Sequence, residues 1–505
     1  MSYNNNIDVV RDDLSLRTVG SKTADTAAGR VGNEPYHEDC DVESLKLEKR
    51  NTITDPVFGE IDEDGPNYRN VGWVGTAVIM IKTQIGIGAL SIPGAFDILG
   101  VVPGVLILIT VAVITTWSGM HIFVRGHSLS SHYIVGCFKL RHPEVYGLDD
   151  TGGIMFGKIG REIFGMAFFL YYTFVAGSSI LSLSIGLNAV SDHAVCTAIF
   201  VTVAAIAAVC LASIRTLSKI SWLAAAGGVS ILVSLFIVTV AVGVQDRPAS
   251  APQTGPFTRD VKIVGAPDFA QAMSAVATII FAFSGTPAFF PIASEMKEPR
   301  HYARSMLICQ ATVFTVYLVV GVVVYYFCGS YVASPALGSA GTLMKKVCYG
   351  IALPGLLVTE MIACHLPAKH LFVRILRGSR HLTANTVTHW ITWLSCTSAV
   401  VIIAYIIASA VPNFGSLVSL IGALLGTLIC FQPMGCMWLY DNWTPRKEER
   451  DWKYWFMVGW SLFVIVAGTF CMIGGTYRAV VRLIDDYSGE GGASSWSCAD
   501  NSNSS

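Results

Sequence analysis

Lys82 is a lone charge inside an apolar run, VGWVGTAVIMIKTQIGIGALSIPGAF, residues 71–96. A charge within a membrane-length apolar segment is costly and is usually kept for function. Four residues later comes Gly86, followed by Gly88 and Pro93. Glycine costs about 1 kcal/mol in a helix interior and proline about 3, so this helix is expected to unwind in its second half. Backbone freed at membrane depth is tolerated only against protein, a ligand or a water-filled cavity. A second interrupted run, FAQAMSAVATIIFAFSGTPAFFPIASEM at 269–296, carries Gly285, Pro287 and Pro291 in its middle. Glu360 is a further acid inside an apolar stretch, LLVTEMIACHLP. Together these residues suit the binding of a small polar solute.

The elements that hold them are membrane helices. The chain is 53% hydrophobic and only 14% charged, against about 25% charged in soluble domains. Its apolar residues come in blocks long enough to cross a bilayer, about 20 residues each. Eleven spans are expected, near 71–96, 99–124, 162–190, 194–212, 220–244, 268–294, 305–329, 347–368, 386–408, 412–440 and 453–477. The polar stretch 1–70 reads as a disordered tail, with Lys22, Lys46 and Lys49 as candidate modification sites read by cytosolic regulators. No apolar segment follows a basic start there, so the first span is expected to serve as targeting signal. The C-terminal tail, 478–505, is short, polar and Ser-rich.

Loop charges set the orientation. Loops on one side carry eighteen Lys and Arg, those on the other five, and the stretch before the first span adds eight to the rich side. The rich side is cytosolic by the positive-inside rule. The N-terminus is then inside and, after eleven spans, the C-terminus outside. Five spans separate the two interrupted helices. Matching interruptions in two halves point to a transporter site, with spans one to five (71–244) and six to ten (268–440) as inverted repeats and the eleventh (453–477) added. The alternative is that Gly and Pro are merely common in membrane helices. A net charge of −1 gives no basic field for nucleic acid. Cys328 and Cys348 flank one external loop and could form a disulfide.

The two interruptions also carry a resemblance. FAFSGTPAFFPIASEMKEPRHY, residues 281–302, resembles the sixth-helix signature of the amino acid/auxin permease family, and IGIGALSIPGAF, residues 85–96, resembles its first-helix motif. The likeness extends over roughly residues 70–475 and is nearest to fungal neutral and aromatic amino acid permeases of the methyltryptophan-sensitivity type. Thr286-Pro287 stands where that group has His-Pro. The resemblance implies an all-α, LeuT-like bundle of eleven helices, a five-plus-five repeat with one extra helix, and a zwitterionic amino acid as substrate.

For such a ligand the expected contacts are Ile85, Gly86, Gly88 and Ala89 on the first break, and Phe281, Phe283, Ser284, Gly285 and Thr286 on the second. Amides at the start of the second half-helix would donate to the carboxylate, aided by the helix dipole. Carbonyls at 281–284 would accept from the ammonium. Phe283 is either an aromatic lid or a core residue. Sodium-coupled carriers of the implied fold hold the ion against spans one and eight, and the Lys82 ammonium could take that place. Glu360 would be its partner in proton coupling; alternatively, Lys82 snorkels to the interface and hydroxyls satisfy Glu360.

Asp97 and Glu295, at span ends, read as interfacial or gate residues. His365, His370 and Cys364, or His127, His132 and Cys137, lack the compact spacing of a zinc site, so no metal and no cofactor is expected. No Walker loop, HExxH or GxSxG is present, which argues against an enzyme. The reading is a proton-coupled importer of neutral, including aromatic, amino acids in the plasma membrane, its partners being amino acid, protons and the bilayer. A vacuolar exporter shares the chemistry and differs in location. A non-transporting amino acid sensor would bind without accumulating and would signal through the N-terminal tail. An ion channel lacks a pore-loop filter.

Overall fold

The first helix stops where its glycines begin. In the computed structural model, which describes residues 54–55, 59–60, 70–117, 135, 138–139, 141–142, 144–411, 413–443, 452–488, 496 and 498–502, α1 (Trp73–Gln84) and α2 (Ile87–Leu99) meet at a 42° bend. The interruption is only two residues long, Ile85 and Gly86. Pro93 lies inside α2 without ending it, so the unwinding stops earlier than the breaker spacing suggests.

Then follow α3 (Val101–Trp117), α4 (Leu148–Ser191), α5 (Thr197–Ala212) and α6 (Leu217–Val244). The 44-residue α4 is two helices joined at Gly157, whose φ of 68° is left-handed, a conformation glycine adopts without steric cost. The second interrupted run gives α7 (Phe269–Phe283), a 3-10 turn over Thr286–Ala288, and α8 (Phe289–Ser294). Asp268 starts α7 with a reciprocal capping box to Gln271. Beyond lie α9 (Tyr302–Cys328), α10 (Thr342–Leu376) and α11 (Val387–Ala410). The next apolar run is α12 (Phe414–Leu420), a π-helical turn over Ile421–Gly426, α13 (Thr427–Cys430) and α14 (Gln432–Asp441). α15 (Trp452–Ser488) closes the series.

The architecture is all-helical and multi-pass. Among the described residues eight helices are long and apolar enough to cross a membrane, the bent α1–α2 pair makes a ninth, and α3 and α5 are shorter apolar helices. Outside them a two-residue antiparallel pair, Thr54–Asp55 with Gly59–Glu60, lies within the segment read as a disordered tail. The rest of that tail, 1–53 included, is outside the described residues.

Two features tie the interrupted helices into one body. Val71 bridges Met296, with Val71 N–H donating to Glu295 O (3.1 Å) and Lys297 N–H to Val71 O (2.9 Å). At mid-membrane, a Cβ built on Gly88 would fall 2.8 Å from the Ala282 Cα. Only glycine admits that backbone contact, because real Cβ atoms do not come so close.

The C-terminal end differs from expectation. α15 runs eleven residues past 477, to Ser488; within that stretch Arg478 and Arg482 line a cavity, and no glycine or proline precedes Gly489. Beyond it, Cys498 forms a disulfide with Cys196, between α4 and α5. Cys328 and Cys348 are instead buried, unbridged thiols. Each lies on a helix, with Cys328 packed among the core side chains of α9 and Cys348 among those of α10.

Candidate functional site

The two interruptions face each other in the middle of the bundle. A Cβ on Gly285 would sit 2.6 Å from the Gln84 Cγ, and one on Gly86 would sit 2.9 Å from the Thr359 hydroxyl. α1–α2, α7 and α10 therefore converge within van der Waals contact. The expected contacts Ile85, Gly86, Gly88, Ala89, Phe281, Phe283, Ser284, Gly285 and Thr286 are all buried. The structure brings both sets together in the interior of the bundle.

Tyr317, on α9, joins the two breaks. Its hydroxyl lies 2.7 Å from Gln84 O and 2.9 Å from Ala282 O, carbonyls at the end of α1 and near the end of α7. The Phe283 ring stands edge-on to Tyr317 with centroids 5.0 Å apart, so Phe283 packs as a core ring in this state. Sequence reading passes over Tyr317 because nothing local marks it. The available signal is a lone phenol in an otherwise apolar mid-span stretch.

Hydrogen bonding at the second break is partly internal. Ser284 donates to Ile280 O (2.7 Å) from its hydroxyl and to Phe281 O (3.1 Å) from its amide. Gly285 O accepts from Ala288 N–H (3.1 Å) and lies 3.5 Å from the Tyr172 hydroxyl. Carbonyls at 280–282 therefore already have donors, and each keeps a second lone pair. Two buried polar groups at the breaks have no protein partner, Gln84 Oε1 and Thr286 Oγ1, and on α10 neither oxygen of Glu360 has one. At the first break α2 begins at Ile87, so its first amides have no intrahelical acceptor. Gly426, ending the π-helical turn, would place a Cβ 2.8 Å from Ser284 Oγ. Single π-turns are frequent at functional sites.

Lys82 is buried at 1% exposure, so it does not snorkel. Its ammonium donates to the Thr359 hydroxyl and to Ile85 O at 3.3 Å. The expected pairing with Glu360 is not made: among the described residues no Lys82–Glu360 contact falls within salt-bridge distance. The reason is helical geometry. Neighbouring residues project about 100° apart, so the turn that aims Thr359 at Lys82 aims Glu360 elsewhere. Glu360 is itself fully buried.

Toward the Lys/Arg-rich face, Glu295 pairs with Lys369 in a fully enclosed ion pair that joins the end of α8 to α10. His370 lies 3.8 Å from Asp149 and against the Phe168 ring, and His365 packs on Trp393. Among the described residues no three His, Cys, Asp or Glu converge on a metal-holding point; His127, His132 and Cys137 lie outside the described residues. Asp97 lies at the opposite face, on the wall of a cavity.

Comparison with known proteins gives the family. A family model described as transmembrane amino acid transporter protein matches residues 69–481. A transmembrane transporter of Gibberella moniliformis is 35% identical over 88% of this chain and 91% of its own length. The N amino acid transport system protein of Neurospora crassa is 30% identical over 87% of this chain and 91% of its own. A solved structure of a Na+-coupled sialic acid symporter superposes with a TM-score of 0.49 at 11% identity, covering 83% of this chain and 92% of that one.

Proposed function

Because the chain belongs to the transmembrane amino acid transporter protein family, we propose that it imports neutral L-amino acids, aromatic ones among them, by proton symport across the plasma membrane. Transport, not enzymatic chemistry, is the activity of that family and of the relatives. The observation that carries the reading is the buried meeting of two interrupted helices, where Gln84 and Thr286 side-chain oxygens lack protein partners. An amino acid supplies what they lack. Its carboxylate fits the α2 N-terminus, where unpaired amides and the helix dipole favour an anion. Its ammonium fits the carbonyls that end α7. The Neurospora relative's name supports amino acid as the substrate class.

Proton coupling follows from Lys82. Its ammonium bridges an unwound carbonyl of the first break and a hydroxyl of α10, a position that in related carriers suits a sodium ion. A fixed cation there removes the need for sodium. Glu360, the buried acid of the same α10 turn, is then proposed as the proton carrier. The topology proposed is eleven spans with the N-terminus cytosolic and the C-terminus outside, in a five-plus-five inverted repeat. The rocking unit is α1, α2, α7 and α8, knitted by the Val71–Met296 bridge.

The test is uptake of labelled neutral amino acids into proteoliposomes with an alkaline interior, with and without sodium. Accumulation is expected to follow the pH gradient and ignore sodium. Glu360→Gln and Lys82→Ala are each expected to lose gradient-driven accumulation, with Glu360→Gln retaining exchange of internal for external amino acid. Sodium-dependent uptake by the wild type, or proton-driven accumulation surviving in Lys82→Ala, sinks the coupling scheme. Binding without any accumulation turns the reading to a sensor.

A further inference from the structure

The run that follows the π-helical turn reaches the second break. A Cβ built on Gly422 would collide with Ala277 O, and one on Gly426 would sit 2.8 Å from Ser284 Oγ. Cys430 lies four residues beyond Gly426, on the same helix face, and ends α13. α13 packs on the 3-10 turn at Thr286–Ala288 and on α4. The Cys430 thiol is in polar contact with the Ser284 side chain and the Thr286 backbone, the residues on either side of Gly285. It is buried and unbridged. Thiols donate and accept only weakly, so these contacts aim the sulfur at the break without binding it tightly.

The same thiol interacts with Tyr171 and Tyr172 of α4. Those two rings meet edge-on with centroids 4.9 Å apart, and the Tyr172 hydroxyl lies 3.5 Å from Gly285 O. Phe283 turns its ring the other way, to Tyr317. The aromatic surface beside the second break therefore comes from α4, with Cys430 at its edge. The groups around Gly285 thus fall into two chemical kinds. Gln84 Oε1 and Thr286 Oγ1 are buried polar atoms without partners, suited to the polar end of an amino acid. Two phenol rings and a buried thiol, which packs as a small hydrophobe, suit its side chain. Aromatic rings in edge-to-face contact gain about 0.5–1.5 kcal/mol beyond the area they bury.

We propose that Cys430 sets the size of side chain that the central site accepts, and that with Tyr171 and Tyr172 it forms the wall against which an aromatic substrate side chain rests. This rests on the reading of the central site as an amino acid site. Cysteine is small, so a bulkier residue at 430 takes space from the substrate ring, and alanine gives space to it. A side chain that ends short of the wall, such as the methyl of alanine, is indifferent to either change.

The experiment measures initial uptake of labelled alanine, phenylalanine and tryptophan by the full chain in proteoliposomes with an alkaline interior. Cys430→Val is expected to lower kcat/KM for phenylalanine about tenfold, the low end of what one methylene is worth in a pocket, and to leave that for alanine within about twofold. Cys430→Ala should act in the opposite sense and raise the ratio of tryptophan to phenylalanine uptake, again by about tenfold; it decides alone if Cys430→Val fails to fold. Cys430→Ser keeps the size and the polar contacts and should hold both ratios within about twofold of wild type. Ratios that stay at the wild-type value in Cys430→Val and in Cys430→Ala overturn the proposal. So does an equal fall for all three amino acids, which is what loosened packing at the second break would give. A wild type that accumulates alanine but no phenylalanine leaves amino acid import standing and overturns the aromatic wall. A wild type that accumulates no amino acid overturns the import reading itself, and the wall with it.

Discussion

The Tyr317 hydroxyl has one proton and two carbonyl neighbours, one from each interrupted helix. It therefore holds the two breaks in register at the depth where substrate would bind. Tyr317→Phe leaves the ring and its edge-on contact with Phe283 in place and removes only the oxygen. The carbonyls of Gln84 and Ala282 would then lose a donor in a buried setting, at a cost of about 1–3 kcal/mol. The expected result is a lower melting temperature in detergent and a raised KM for amino acid. A variant with wild-type melting and wild-type kinetics would show that the breaks are held by packing alone. Lys82 shows how far residue type can be read from sequence. Its presence in an apolar run marks it in the sequence, and the structure places it buried against the first break. Its partner was not legible, because Thr359 and Glu360 are adjacent in sequence and only the rotation of α10 decides which one faces Lys82.

Among the helices, the interruptions were the most legible feature, since glycine and proline act locally and need no partner to exert their effect. Their exact extent was not legible. Pro291 sits in the first turn of α8, where a proline gives up a hydrogen bond that the helix start lacks anyway; Pro93, the seventh residue of α2, forfeits the interior bond to Ala89 O, and the helix runs on past it. The π-helical turn at 421–426 also left no local signal: it depends on Gly422 meeting the Ala277 carbonyl on α7, a contact between distant elements. Gly88 tests the same kind of contact from the other side. Gly88→Ala would put a methyl 2.8 Å from the Ala282 Cα and 2.9 Å from the Tyr317 hydroxyl. The backbone cannot yield cheaply, so α2 and α7 must separate; the expected outcome is loss of most uptake and a destabilisation of about 1–3 kcal/mol, the usual range for overpacking. Gly72→Ala, where no atom lies within 4 Å of the added carbon, is the matched control and should transport normally. Equal behaviour of the two variants would remove the close α2–α7 approach from the account.

For the whole molecule, the C-terminal segment closes a circuit that loop charges alone could not reveal. Trp496 donates its amide to Ser409 O (3.1 Å), at the end of α11, and its ring meets Tyr405 at 5.4 Å. Cys498 is bonded to Cys196. Ala499 O accepts from Thr197 (2.7 Å), Asn501 bonds both Asn188 (2.7 Å) and Ser184 (3.0 Å), and Ser502 O accepts from Lys345 (2.5 Å). The segment thus links the ends of α4, α5, α10 and α11 on the face proposed to be external. A disulfide persists in an oxidising compartment and is rare in the cytosol, so the proposed topology, with this face external, is the one under which the bond is expected to form. The bond spans 302 residues, and cross-links that close long loops stabilise most in the chain-entropy picture, typically by about 2–4 kcal/mol. Cys498→Ser should therefore lower the melting temperature of the purified protein, and a reducing agent should lower that of the wild type but not of the variant. Because the hydrogen bonds of the tether go to α4, α5, α10 and α11 at their ends, away from the two breaks, the central site should keep its substrate preference when it is cut. A membrane-impermeant thiol reagent applied to intact cells after mild external reduction should label Cys196 and Cys498. Labelling only after the cells are permeabilised would place this face on the cytosolic side and reverse the topology.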